Sequence, residues 1–187
     1  MQNFYRNSLI CLLLLLFPVT GTAMSRIKDA DVVITMKNGT PCFSYPQDEE
    51  IRKRPYSFAY LSVSENGPHG GGGWAMQIAS SDRKGLLDPN SPETCIQYGV
   101  LNPGTKHYHE PAEPLQLNTP YYVHINASAR DHGFYERKFH TDFCLVRNEK
   151  GEKALVGAEY DGDADAWKCL KPGESPKRGF WQRLFGK

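Results

Sequence analysis

Two short stretches of the sequence have residue types and spacings that could bind a metal ion. His107-Tyr108-His109-Glu110 puts two imidazoles on alternate residues, and alternate residues of an extended chain face the same side. The flanking Pro103 and Pro111 favour a solvated loop, and the sequence offers no further ligand cluster to complete a site. We therefore interpret this stretch as a loop without a metal.

Asp161, Asp163 and Asp165 alternate as the first ligands of a calcium-binding loop do. Such a loop then needs a glycine and a bidentate glutamate, but Ala166 and Pro172 stand at those positions. We expect instead a solvated acidic turn whose Asp side chains accept hydrogen bonds from nearby backbone. The sequence thus predicts no bound metal and no cofactor.

Groups that could carry out nucleophilic or acid–base catalysis are not evident either. No Gly-x-Ser-x-Gly motif occurs, and the paired Glu49 and Glu50 lie in a charged connector without apolar surroundings. We expect a protein that is not an enzyme. A metal-dependent or hydrolytic enzyme that uses His107, His109 and the acidic turn stays open as an alternative, ranked third after the two binding functions described below.

The cysteines predict disulfide bonds. Cys11 lies in the N-terminal apolar run, and the other four are an even set at wide spacing, Cys42, Cys95, Cys144 and Cys169. No pair has the Cys-x-x-Cys spacing typical of structural zinc, so two disulfides are the better interpretation. Three pairings are possible. We pair Cys144 with Cys169, because we expect their strands to be close together, and Cys42 with Cys95.

Residues 1–23 have the order of a secretory signal peptide. Arg6 precedes an apolar run from Leu9 to Val19, and Gly21 and Ala23 supply the small residues before a cleavage site. Removal takes one of the 22 basic residues and no acid, which leaves 21 against 21 acidic residues. We expect export to an oxidising compartment such as a bacterial periplasm, and no nucleic-acid partner.

The chain after residue 23 is predicted to consist of short strands separated by turns. Asn38-Gly39 is a strong hairpin signal, and Tyr121, Val123 and Ile125 alternate with Tyr122, His124 and Asn126. The predicted strands are 31–37, 40–44, 56–64, 74–79, 93–98, 115–117, 120–127, 138–146, 154–158 and 166–170. This pattern predicts an all-β domain over residues 24–175, an antiparallel immunoglobulin-like sandwich tied by two disulfides.

Residues 176–187 differ from the rest as a basic, aromatic tail. Phe180, Trp181, Leu184 and Phe185 fall at helical spacing, with cationic residues around them. We predict a short C-terminal helix. Two interpretations stay open: weak contact of Trp181 and Phe185 with an anionic membrane surface, or packing of these rings on the domain or on a partner.

Taken together, the cysteine-bearing segments resemble immunity proteins of the bacterial type VI secretion system. The segments are Gly39-Thr-Pro-Cys-Phe-Ser44, Glu93-Thr-Cys-Ile-Gln-Tyr-Gly99, Leu117-Asn-Thr-Pro-Tyr-Tyr-Val123, Phe143-Cys-Leu145 and Trp167-Lys-Cys169. The resemblance implies a small periplasmic protein that binds a toxic effector protein and blocks it by occlusion. Those relatives are mostly lipoproteins, and no cysteine follows the predicted signal peptide here, which puts lipid anchoring in doubt. The second alternative is a generic periplasmic binding or accessory module.

Two loops form the predicted partner-binding surface. The loop 66–73 joins two predicted core strands, so it lies at an end of the sandwich, where binding loops collect. If the long loop 102–114 lies at the same end, the two loops share one rim rich in rings. The residues of that rim are His69, Gly70, Gly71, Gly72, His107, Tyr108 and His109. The alternative is that both loops are linkers without a binding role.

Overall fold

The computed structural model describes residues 29–53, 56–67, 73–79, 88–108, 112–129 and 136–176. The predicted signal peptide, the tail from residue 177 with its predicted helix, and residues 69–72 and 109 of the predicted binding loops lie outside the described residues. The described part is mostly β, with one short helix.

The strands form two sheets. The larger sheet has eight strands, in the order β11-β10-β9-β8-β4-β5-β7, with β1 pairing in parallel with β9. Its strands are β1 (Ala30–Asp31), β4 (Tyr56–Glu65), β5 (Trp74–Ile78), β7 (Thr105–His107), β8 (Pro120–Ala129), β9 (Glu136–Arg147), β10 (Lys153–Asp161) and β11 (Ala166–Cys169). The smaller sheet contains β2 (Val33–Lys37), β3 (Thr40–Ser44) and β6 (Ile96–Gln97), in the order β2-β3-β6. Apart from β1, the pairing is antiparallel, as predicted.

The predicted hairpin at Asn38-Gly39 is confirmed. It joins β2 to β3, with Lys37 in register with Thr40, and the two turn residues have φ of 53° and 74°. Two successive positive φ values are what a tight hairpin turn requires, and Asn and Gly adopt them at the lowest cost. The turn chemistry in the sequence therefore fixes the register of this hairpin.

Both predicted disulfides are confirmed, with the predicted partners. Cys42 is bonded to Cys95 and Cys144 to Cys169. The first bond holds the two-residue strand β6 against β3, where Cys42 is in register with Gln97. The second lies across the edge of the large sheet and ties β9 to the edge strand β11. Each bond thus secures a strand that is short and lies at an edge.

One face of the large sheet packs against the small sheet and forms the core. Phe139, Phe143 and Val123 of the large sheet and Phe43 and Ile96 of the small sheet belong to one buried cluster. Phe43 and Phe143 meet edge to face across the two sheets, with their ring centroids 5.8 Å apart. The alternation in the sequence of β8 is confirmed, because Tyr121, Val123 and Ile125 are buried.

A β-bulge in β4 changes which residues of that strand face the core. The register with β8 moves by two residues on β4, from Phe58 to Tyr60, but by only one on β8, from Ala127 to Asn126. Phe58 and Leu61 are therefore both buried, and Tyr60 lies on the other face.

Several predicted element boundaries need correction. The segment predicted as a charged connector contains the helix α1 (Glu49–Lys53), which begins after Asp48. The carboxylate of Asp48 accepts a hydrogen bond from the Ile51 backbone N–H at 2.8 Å, as an N-cap does. The predicted strand 115–117 contributes only a bridge between Leu117 and Leu145. Part of the predicted long loop is the strand β7, because its backbone pairs with β5.

Candidate functional site

The face of the large sheet that points away from the small sheet carries a row of rings. We call this row the ring face; it consists of Tyr108, Tyr60, His124, Tyr122 and His140. The register aligns them across three central strands, since His124 of β8 is opposite both Ser62 of β4 and His140 of β9. Alternate residues of a strand share a face, so Tyr122 and His124 lie together while Val123 between them enters the core.

The rings contact one another in sequence along the row. Tyr108 meets Tyr60 edge to face with 5.7 Å between ring centroids, and Tyr60 meets His124 at 6.4 Å. His124 is stacked with Tyr122 at 6.3 Å, and Tyr122 is tilted against His140 at 6.0 Å. The small residues Ser62 and Ser64 oppose His124 and Tyr122 on β4. Because each ring is supported by its neighbour, the row is a continuous surface of preset geometry.

Polar side chains border the ring face. Asp142 of β9 is in register with Tyr122 and accepts a hydrogen bond of 2.7 Å from the Asn66 side-chain amide. Asn66 is itself held by a backbone hydrogen bond of 2.8 Å to the Pro120 carbonyl. Lys138 lies at the other end of the same strand face, in register with Asn126. The border therefore contains one acid, one base and two amides, so the ring face has no strong charge of one sign.

The surroundings of the titratable groups favour their neutral forms. Burial, together with the electrostatic effects of Lys138 and His140, lowers the pKa of His124, against the opposing effects of Asn126 and Asp29. His124 is therefore neutral at pH 7. Burial raises the pKa of Tyr122, with Asp142 and Asp29 adding to the effect. Burial also raises the pKa of Asp142, although the hydrogen bond from Asn66 and the electrostatic effect of His140 oppose the shift.

The second disulfide lies on the same sheet face and joins Cys144 of β9 to Cys169 of β11. Cys144 is fully buried in a small cluster with Val146 and Ala158, and Trp167 packs against that cluster. Tyr160 meets Trp167 edge to face at 5.8 Å and is 51% exposed. The face is therefore apolar and compact beside the disulfide, and aromatic and polar at its centre.

The structure places two residues of the predicted binding rim, His107 and Tyr108. β7 runs antiparallel to β5, and the Tyr108 N–H donates to the Ala75 carbonyl at 2.9 Å. The chain therefore leaves β7 at the end of the sheet where β4 ends and β5 begins. The loop 66–73 connects β4 to β5 at that same end. Tyr108 is 54% exposed and joins the ring face. His107 is in register with the core residue Met76, so it lies on the core side of the sheet, opposite the ring face.

The sequence prediction missed most of the ring face. Tyr60, Tyr122, His124 and His140 were not among the predicted binding residues, although the alternation in β8 had placed Tyr122 and His124 on one face. A sequence signal was available in β9, where Lys138, His140 and Asp142 also alternate. The position of Tyr60 could not be found this way, because it depends on the bulge.

The acidic turn between β10 and β11 has the predicted backbone contacts. Asp161 Oδ1 accepts hydrogen bonds from the backbone N–H of Asp163 at 3.1 Å and of Ala164 at 3.4 Å. Its other oxygen binds Lys168 Nζ at 2.8 Å. The carboxylate of Asp161 is thus already occupied by a base and two backbone donors. Among the residues that the structure describes, no group of three or more His, Cys, Asp or Glu is arranged to hold a metal ion.

Comparison with known proteins finds no matching family model, no matching curated protein and no matching solved structure. Within the described ranges, no helix is long and apolar enough to span a membrane.

Proposed function

We propose that this protein is exported to the periplasm and acts there as an immunity protein, which binds a type VI secretion effector and neutralises it by occlusion. The observation that carries the proposal is the ring face: five rings in contact along a row, on the side of the sheet that does not form the core. The sequence resemblance supplies the class of partner, a secreted effector protein.

The chemistry of the ring face suits a protein partner. Tyrosine is enriched among the residues that dominate binding free energy at protein interfaces, because it combines a large apolar area with a hydroxyl and few rotatable bonds. His124 presents an uncharged imidazole at pH 7, which lowers the desolvation cost of covering it. Asp142, Asn66 and Lys138 provide a polar border of the kind that surrounds interface cores.

The scaffold under the ring face also supports binding by occlusion. Tyr60, Tyr122, His124 and His140 project from β4, β8 and β9, which are interior strands paired on both sides. Side chains on such strands are positioned before the partner arrives, so little conformational entropy is lost on binding. A rigid face of this kind can cover a site on an effector without any chemistry of its own.

Export and fold class belong to the same proposal. Disulfides persist in oxidising compartments, and two of them secure the edge strands here. We include the immunoglobulin-like arrangement in the proposal on the ground that two antiparallel sheets enclose one core. The unequal sheets, with eight and three strands, would make it an asymmetric variant.

The test needs a candidate effector, for which a neighbouring reading frame that encodes an exported toxin is the first place to look. Cells that express that toxin in the periplasm should survive when this protein is co-expressed there. Binding of the two purified proteins is then measured by calorimetry for Tyr60→Ala and Tyr122→Ala. If these are interface hot spots worth about 2 kcal/mol each, each variant weakens binding by about 30-fold. Tyr108→Ala extends the series to the predicted rim.

Tyr160→Ala is the matched control. Tyr160 is an exposed tyrosine of the same sheet that lies outside the ring face, so its loss should leave binding within about twofold of the wild type. Unchanged thermal unfolding temperatures show that the variants are folded. Wild-type affinity for all ring-face variants would place the binding surface elsewhere. If the wild type gives no protection and no binding, the immunity function is wrong and the generic periplasmic binding module takes its place.

A further inference from the structure

A cleft of about 240 Å³ opens between the two sheets, on the side of the large sheet away from the ring face. Its walls come from the β2–β3 turn, the chain after β6, the segment before β8, and the adjoining ends of β9 and β10. The apolar lining residues are Pro41, Tyr98, Ala112, Pro114, Leu115 and Leu145. An apolar cavity of about 150 Å³ binds benzene, so this cleft has room for one aromatic ring and the atoms that link it to a polar group.

Tyr98 forms one wall of the cleft and is held at both ends. Its backbone N–H donates to the Pro41 carbonyl at 2.9 Å, and its hydroxyl donates to the Glu113 carbonyl at 2.8 Å. Its ring meets Trp74 edge to face, with 5.2 Å between ring centroids. Burial raises the pKa of Tyr98 to about 12, with Tyr121 and Glu113 adding to the effect, so this hydroxyl keeps its proton at neutral pH. The wall is therefore preformed, and an entering ring does not have to build it.

One cation and one anion line the mouth of the cleft. Lys153 and Leu155 alternate along β10, and Leu155 packs on the core cluster, so the Lys153 side chain leaves the strand on the cleft side. Glu113 lies on another wall, between the lining residues Ala112 and Pro114. Both charged side chains are exposed. Neither the Lys153 ammonium nor the Glu113 carboxylate has a hydrogen-bond or ion-pair partner in the part of the chain that the structure describes, and they do not pair with each other.

The ligand that matches this lining carries an aromatic ring and both charges. A ring in the apolar part lies beside Tyr98, and paired aromatic rings attract each other beyond the area that they bury. A carboxylate at the mouth meets Lys153, and an ammonium group meets Glu113. A residue within a protein chain has neither charge, because its peptide bonds neutralise both groups. A free amino acid with an aromatic side chain has the ring, the carboxylate and the ammonium group on one small skeleton.

We propose that this cleft binds a free aromatic amino acid, with its ring in the apolar part and its carboxylate and ammonium groups on Lys153 and Glu113. Phenylalanine is the simplest such ligand. The site goes beyond the proposed function and does not depend on it, because Leu145 and Lys153 lie on the core side of the sheet and the ring face lies on the other. We expect a dissociation constant of about 1 mM, since the ligand is small and exposed ion pairs contribute little.

A nuclear magnetic resonance titration of the purified, oxidised protein tests the site. Phenylalanine should shift the amide resonances of Gly99, Leu115 and Lys153 along one common saturation curve. Glycine is the matched ligand, because it carries the same two charges without a ring. Glycine should not saturate these shifts over the same range of concentration, because the apolar part of the cleft then stays empty.

Ligands with a single charge assign the two groups at the mouth. Hydrocinnamate keeps the ring and the carboxylate, and phenethylamine keeps the ring and the ammonium group. Lys153→Gln should weaken phenylalanine and hydrocinnamate about threefold and leave phenethylamine unchanged, because the lost contact is one exposed ion pair. Glu113→Gln should weaken phenylalanine and phenethylamine to the same extent and leave hydrocinnamate unchanged. Lys150→Gln and Glu149→Gln are the matched controls, since both residues are exposed in the β9–β10 turn and do not line the cleft.

Three results would overturn the site. The first is a titration in which phenylalanine does not shift the Gly99, Leu115 and Lys153 amides in a saturable way. The second is glycine that binds as well as phenylalanine, because the ring then plays no part. The third is Lys153→Gln and Glu113→Gln variants that bind all three aromatic ligands like the wild type, because the cleft then selects for a ring alone. None of these results bears on the immunity function, which is measured on ring-face variants.

Discussion

Substitution of Asp48 by Asn should reveal how strongly a buried arginine depends on its acidic partner. The Arg137 side chain is only 3% exposed, and its Nη2 lies 2.9 Å from Asp48 Oδ2 and 3.6 Å from Glu50 Oε2. Its guanidinium carbon is 5.0 Å from the Phe139 ring centroid and 5.7 Å from that of Tyr56. These contacts join the start of α1 to β9, so we expect their loss to lower the free energy of unfolding of the whole domain.

The expected loss for Asp48→Asn is about 2 kcal/mol. A hydrogen bond to a charged group contributes about 1.5–3 kcal/mol. The loss should be smaller than the value of about 3–5 kcal/mol for breaking a fully buried ion pair, because Asp48 is 38% exposed and Glu50 still lies 3.6 Å from the arginine. Asn retains the N-cap, because Asn and Asp cap helices about equally well. Asp48→Ala also loses the bond to the Ile51 N–H, which adds about 1 kcal/mol.

Removal of the base should destabilise less than removal of the acid. Without Asp48, the arginine charge stays buried, whereas without Arg137 the carboxylates of Asp48 and Glu50, 38% and 39% exposed, can be hydrated. Arg137→Met keeps apolar contact with Phe139 and Tyr56, so we expect a loss of about 1 kcal/mol, the typical net contribution of a hydrogen bond. The expected order of destabilisation is Asp48→Ala, then Asp48→Asn, then Arg137→Met.

The same pair makes the effect depend on pH. Burial opposes ionisation of Asp48, but the Ile51 N–H and Arg137 outweigh it and lower the pKa of Asp48 below its ordinary value of 3.8. A carboxyl whose pKa is lower in the folded state stabilises the fold above its unfolded pKa, and the contribution is lost as the pH falls through the folded pKa. The difference between the wild type and Asp48→Asn should therefore shrink below about pH 4.

Urea unfolding followed by tryptophan fluorescence at pH 7 and at pH 3 measures these differences. Glu49→Gln is the control, because the pair of Glu49 and Lys53 in the same helix is 2.7 Å apart but has side chains 72% and 70% exposed. An exposed pair contributes at most about 0.5 kcal/mol in a helix. The reasoning fails if Asp48→Asn is as stable as Glu49→Gln, or if Arg137→Met is less stable than Asp48→Ala.

Two further predictions concern the disulfides and His124. Replacement of both members of a disulfide by Ala should lower the free energy of unfolding by about 3.5 kcal/mol for Cys144 and Cys169, separated by 25 residues, and by about 4 kcal/mol for Cys42 and Cys95, separated by 53. Urea unfolding checks the order, and a larger loss for the shorter loop would contradict the chain-entropy argument. The His124 ring should titrate below 6.5 by nuclear magnetic resonance, and Lys138→Gln should raise its pKa towards that value. The pKa of His124 is lower in the folded state than in the unfolded state. His124 therefore adds to the free energy of unfolding above pH 6.5, and this contribution is lost as the pH falls through the folded pKa. A measured pKa at or above 6.5 in the folded protein would refute the burial argument.

The sequence by itself determined the features that depend on near neighbours in the chain. Asn38 and Gly39 fix a hairpin because few other residues accept two positive φ values in succession. The alternation in β8 identified its buried side, since a strand repeats every two residues. The cysteine pairing followed from the expectation that the last strands are neighbours, and Cys144 and Cys169 do lie on strands tied across the sheet edge.

Tertiary structure alone decided the features that depend on distant partners. β7 has only three residues, too few for a periodic signal, and exists because β5 supplies its hydrogen bonds. The helix α1 has five residues, too short to be stable by itself, and is held through Asp48 by Arg137, which is 89 positions away in the chain. Tyr60 joins the ring face because β4 gains one residue against β8. A bulge shifts every later side chain of a strand to the opposite face, and its position is set by the pairing of two strands, which the sequence of either strand does not contain.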